Sequence, residues 1–146
     1  NLPDGAAIKA YGDSNWAGTS LAHGVTNWAA TTATDLSITG TGFEPKEVTI
    51  HASKSGQDVS SVGIATKSGS TISWSAFGGS SETSSGSATT PVVSATDFMF
   101  SGKESGSDSH YAYGLIKSMD SDGFTIDRAH TGAPGDNMRI VWIARG

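Results

Sequence analysis

Two aspartates separated by one serine, Asp120 and Asp122, stand before Gly123 in the stretch SMDSDGFTIDR, residues 118–128. Carboxylates at that spacing could hold a hard cation, share a proton as an acid/base pair, or simply bend the chain. A calcium loop of the EF-hand kind needs oxygen ligands at alternate positions and a Glu about twelve positions after the first Asp. Here Gly123 follows at once and Phe124 occupies the next position, while Ile116, Met119, Phe124 and Ile126 flank the motif as strand residues. Aspartate bonds nearby backbone and glycine takes positive φ at no steric cost, so the motif reads as a hairpin turn.

The other chemistry-bearing residues are scattered. Asp108-Ser109-His110 holds the residue types of a hydrolytic triad, but alternation in a strand sends Ser109 to the face opposite its two neighbours. No Gly-x-Ser-x-Gly nucleophile elbow occurs. His23, His51, His110 and His130 lack the His-x-His or His-x-x-x-His spacing of a metal site. With no cysteine, thiolate metal sites and disulfides are excluded. Asp97, Asp127, Arg128 and Arg139 fall in or beside predicted strands, where an Arg–Asp pair across neighbouring strands or a polar sugar-reading cluster could form. The expectation is a chain without catalytic residues, metal or cofactor.

The scaffold that must carry these residues is written in the composition. Nine Ile and seven Val stand against four Leu, with 16 Thr and 23 Ser. β-branched side chains pack well on a pleated sheet and lose rotamer freedom in a helix, so the chain reads as all-β, punctuated by 19 Gly. A length of 146 residues suits one domain with a real core. The net charge of −5, with basic residues scattered singly, argues against a nucleic-acid partner. No apolar run approaches the roughly 20 residues of a membrane-spanning helix.

Alternation predicts strands at 36–40, 46–52, 61–66, 70–77, 92–100, 109–119, 123–129 and 138–144. Lys67-Ser68-Gly69 gives hairpin spacing between the third and fourth. Residues 78–90, GGSSETSSGSATT, offer nothing apolar larger than alanine and are expected to form a mobile surface loop. In the terminal RIVWIARG, apolar residues occupy both phases, which predicts a strand covered on both faces, in the sandwich or at a subunit contact. The predicted architecture is an antiparallel β-sandwich, jelly-roll-like, of about eight strands over residues 36–146. Residues 1–35 are small and polar with Trp16 and Trp28 set among them, an N-terminal arm or strand extension. Those two tryptophans either cover one end of the core or anchor the arm on a partner, since large aromatics dominate interface energetics.

Three pieces carry a resemblance: TGFEPKEVTI at 41–50, SVGIAT at 61–66, and SMDSDGFTI at 118–126 followed by the terminal RIVWIARG. Together they resemble small tailed-bacteriophage virion proteins, which show Gly-Phe-x-Pro-Lys before an apolar strand, then Gly-(Ile/Phe)-Ala-Thr, Asp-Gly-Phe-Thr and a short aromatic terminal strand. The pattern runs from Leu36 to the end and leaves residues 1–35 outside it. The architecture is also similar to that of the H-type lectins. The resemblance implies a capsid decoration (cement) or tail-appendage protein on the outer surface of a phage particle. It would contact the major capsid protein or other virion proteins as a homo-oligomer, a trimer where three capsid subunits meet, with Trp16 and Trp28 at the partner interface. The lectin analogy implies instead a glycan-binding module of a tail fibre or free lectin, with Trp74, His110, Tyr111 and Tyr113 as the ligand-contacting residues.

Overall fold

The computed structural model describes residues 20–54, 59–80, 98–103 and 110–146. Nine strands run through them: β1 (Leu21–Ala29), β2 (Leu36–Thr39), β3 (Glu47–Lys54), β4 (Val59–Ser68), β5 (Thr71–Ser80), β6 (Phe100–Lys103), β7 (Tyr111–Asp120), β8 (Gly123–Thr131) and β9 (Asn137–Arg145). All pairings are antiparallel. They form a five-stranded sheet in the order β1-β9-β3-β4-β5 and a four-stranded sheet in the order β2-β8-β7-β6, packed into a sandwich. The chain ends interleave, with β9 between β1 and β3 and β8 beside β2, while β3-β4-β5 and β6-β7-β8 run as meanders.

Period-2 alternation generates the core. Val48, Ile50 and Ala52 of β3 and Met138, Ile140, Trp142 and Ala144 of β9 line the inner face of the larger sheet. Phe100, Ala112, Ile116, Met119, Phe124 and Ile126 answer from the smaller one. Phe124 meets Trp142 edge-on at 5.5 Å between centroids, and Trp28 meets Phe100 in the same manner at 6.2 Å. A register shift between Ile116 and Ser118 keeps Met119 in the core by letting Lys117 bulge outward, where its ammonium bonds Asp35 at 2.7 Å.

Two sequence expectations change. The sandwich begins by residue 21 and not at Leu36, because β1 pairs along its whole length with β9. That strand is hard to see in the sequence because its inward positions are Ala22, Gly24, Thr26 and Trp28, small or polar except the last. Smallness at Gly24 is required by the opposite strand: a Cβ there would lie 2.5 Å from the Trp142 ring. The strand expected at 92–100 meets β6 only at Phe100, where β6 begins; residues 81–97, with most of the serine-rich loop and most of that expected strand, lie outside the described residues.

Candidate functional site

The aspartate motif is the β7–β8 turn. Asp120 pairs with Gly123, leaving Ser121 and Asp122 as the two turn residues. The Asp122 carboxylate accepts the Gly40 N–H at 3.1 Å through Oδ2 and the Gly42 N–H at 2.8 Å through Oδ1. Between them, the Thr41 N–H donates to the Asp122 carbonyl at 3.2 Å. Gly40 and Gly42, at φ 84° and 77°, adopt the left-handed backbone that lets successive N–H groups converge on one anion. The anion they hold is this chain's own side chain. Asp120 is engaged separately, accepting the Ser118 hydroxyl at 2.7 Å. A depression of about 150 Å³ lies over the turn, lined by Ser37–Thr39 and Asp120–Thr125. Among the described residues, no group of three His, Cys, Asp or Glu side chains could hold a metal ion. Asp122 is a latch joining the β7–β8 hairpin to the β2–β3 corner.

The structure separates most of the other candidates. Trp28 is buried in the core, with the Arg128 guanidinium 5.4 Å above its ring, so it does not serve as an exposed partner anchor. Trp16, Asp97, Asp108 and Ser109 lie outside the described residues. Trp74, opposite the fully buried Ala65 on β4, faces inward on β5 and packs against the core. Tyr111 and Tyr113 point the other way, outward on β7, out of phase with buried Ala112, Gly114 and Ile116. Their rings group with that of Phe98 in tilted contacts, with Tyr113 in the middle at 5.6 Å from Phe98 and 5.5 Å from Tyr111. His110 directly precedes that strand, half-buried. Of the proposed ligand cluster, the two tyrosines therefore share a surface, and Trp74 faces inward from the other sheet.

The Arg–Asp expectation is also revised. Arg128 shares the inward phase of Phe124 and Ile126 and donates from Nε to the Thr34 carbonyl at 2.6 Å and from Nη2 to the Thr34 hydroxyl at 3.0 Å. Burial lowers its pKa, opposed by the charge of Asp35. Asp127 and Arg139 are exposed. A second inward cation went unread: Lys54 follows Val48, Ile50 and Ala52 in phase, and its wholly buried ammonium lies 3.5 Å from Asp136 without a hydrogen bond. In both cases strand phase carried the signal.

The feature that sequence reasoning touched only in the terminal strand is the outer face of the five-stranded sheet. Antiparallel sheets that face water ordinarily alternate polar residues outward. Here five large apolar side chains, Leu21, Val25, Ile64, Phe77 and Val141, are between 41% and 64% exposed. Strand phase and register place all five on that one face. One row across the sheet reads Val25, Val141, His51, Val62, Phe77, and the next reads His23, Ile143, Thr49, Ile64, Ser75. Neither row contains Asp, Glu, Lys or Arg. Charge enters in the rows beyond, as the Glu47–Arg145 ion pair on one side and Arg139 on the other. Val25, Val141 and Ile143 lie on one side of this face and Val62, Ile64 and Phe77 on the other, with His51 and Thr49 of β3 between them, and large apolar side chains exposed in this number mark an interaction surface. The chain matches no protein-family model, no curated protein sequence and no solved structure.

Proposed function

We propose that this chain is a non-catalytic structural protein of the exterior of a tailed-phage particle, acting as a decoration (cement) protein that binds and stabilises the capsid lattice. The observation that carries the reading is the outer face of the five-stranded sheet, where Leu21, Val25, Ile64, Phe77 and Val141 stand in water. Such a face gains free energy by docking on protein, and binding an intact lattice but not a loosened one stabilises the intact form by mass action. The resemblance at residues 41–50, 61–66 and 118–126 points to the same class of particle. The Asp122 latch adds support, since its carboxylate is committed to holding the fold.

Co-sedimentation with undecorated capsids tests the reading. The protein should pellet with particles at micromolar concentration and raise their heat resistance, and Val141→Asp should remove both effects. Failure to pellet would overturn it. The neighbouring, half-buried rings of Phe98, Tyr113 and Tyr111 favour a second reading, a glycan-contacting surface on the four-stranded sheet, because sugar rings pack on aromatic side chains. A glycan array silent across common host sugars would retire that reading.

A further inference from the structure

We infer that acid releases the outer face of the five-stranded sheet from the capsid lattice, through protonation of His51 and His23. This rests on the reading of that face as the lattice-binding surface and adds what controls the binding.

Placement makes the two imidazoles part of the contact. The two central rows of the face hold ten side chains, and His51 and His23 are the titratable ones among them. Both are exposed. His51 sits on β3, the middle strand, between Val141 of β9 and Val62 of β4. A surface that covers the apolar side chains on both sides of β3 therefore passes over it. His23 lies on the edge strand β1 opposite Ile143, between Leu21 and Val25 in the same phase. Of the other two histidines, His130 lies in the four-stranded sheet and His110 directly before its strand β7.

The charges nearest the two imidazoles are positive. Across β9, Arg139 is the diagonal neighbour of His51 and Arg145 that of His23, positions about 7–8 Å apart on an antiparallel sheet. Glu47 is the one carboxylate in these rows and the rows flanking them. It stands four residues from His51 along β3 and is ion-paired with Arg145. In the same rows β4 and β5 present no charged side chain. With neutral imidazoles the face docks as an apolar surface carrying a few hydrogen-bonding groups. Histidine changes charge close to physiological pH, and a cation enclosed in a contact that excludes water needs an anion beside it. This face supplies arginines instead. Docking therefore requires neutral imidazoles, and each proton that must be shed weakens the contact by up to about tenfold per pH unit on the acid side of its titration.

Co-sedimentation of the full chain with undecorated capsids at pH 8 and pH 6, with the protein alone as blank, tests the release. Wild type should bind about tenfold or more weakly at pH 6. The double variant His23→Gln with His51→Gln keeps hydrogen-bonding groups without the charge and should bind alike at both pH values. His51→Arg fixes a cation at the centre of the face and should bind weakly at both. All three proteins should share one circular dichroism spectrum. Equal wild-type binding at the two pH values overturns the release and leaves the lattice reading standing. An acid loss that persists in the double variant overturns it as well. Wild type that pellets at neither pH defeats the lattice reading, and retention on a phenyl resin then decides the release. Retention should fall from pH 8 to pH 6 in wild type and stay constant in the double variant; constant retention in wild type overturns the inference.

Discussion

Replacing Asp122 measures directly what the aspartate motif does. In Asp122→Ala the N–H groups of Gly40 and Gly42 lose their acceptors, while the Thr41 N–H on the residue 122 carbonyl, the β2–β8 pairing up to Thr39 and Gly123, and Lys67 between Glu44 and the Met119 carbonyl still hold the corner to the hairpin. A net hydrogen bond contributes about 0.5–1.5 kcal/mol, and charge-assisted bonds contribute more. Both donors are solvent-exposed, so water recovers part of the loss. About 1 kcal/mol for each bond, or about 2 kcal/mol together, is the expected cost. For a chain of 146 residues a loss of 1 kcal/mol lowers Tm by about 3 °C, so Asp122→Ala should melt about 6 °C below wild type. Asp122→Asn keeps one acceptor oxygen and should lose about half as much. Thermal unfolding followed by circular dichroism, with calcium and with a chelator, is the assay. The wild-type midpoint should ignore both additives, and the two variants should fall in the stated order. A midpoint that climbs with calcium and loses that response in Asp122→Ala would refute the latch, as would an Asp122→Ala variant as stable as wild type.

Other perturbations read other parts of the fold. Gly123→Ala places a Cβ 1.9 Å from the Ile38 carbonyl oxygen, a backbone atom that cannot turn aside, and should lower stability by about 2–3 kcal/mol in urea unfolding. Lys54→Met replaces a buried, unbonded ammonium with an apolar chain of similar length and should raise stability by about 1–2 kcal/mol. Asp136→Asn should act oppositely, by about 1–2 kcal/mol, since the carboxylate is 57% exposed and solvent screens the pair; chemical denaturation of both variants checks the opposite signs. The hydrogen bond and then the charge of Asp35 hold the Lys117 ammonium above the usual lysine range. Its contribution is therefore complete below the unfolded value of about 10.4 and is lost as pH rises through the higher folded value. Lys117→Gln should remove that part of the alkaline fall in Tm, and an unchanged alkaline profile would show that the pair contributes nothing.

Seven of the strands, all but β1 and β6, were legible because their residues alternate, as in Ile72, Trp74 and Ala76 among serines, or pair across a glycine-bearing turn, as around Gly69 and Gly123. The aspartate turn was legible for the same local reason. What Asp122 binds was not: Gly40 and Gly42 lie 82 and 80 residues away, and only chain folding brings them to it. The phase of Arg128 and Lys54 was in the sequence, hidden by the habit of assigning charged residues to the surface. The partners of Arg128, Trp28 and Thr34, come from a segment that reads as an arm.

The sequence by itself determined that the fold is all-β, where most of its hairpins turn, and which residues of a strand share a face, because strand periodicity is a local property of the backbone. Tertiary structure alone decided which of two apolar faces would be interior. In β9 both phases are apolar, and sequence does not say which will be covered. Packing placed Ile140 and Trp142 against the second sheet and turned Val141 and Ile143 toward the opposite face, which Val25, Val62, Ile64 and Phe77 from three other strands share. A face assembled from several strands exists only once the sheet has formed, since hydrogen bonding between strands sets the register that brings its residues together.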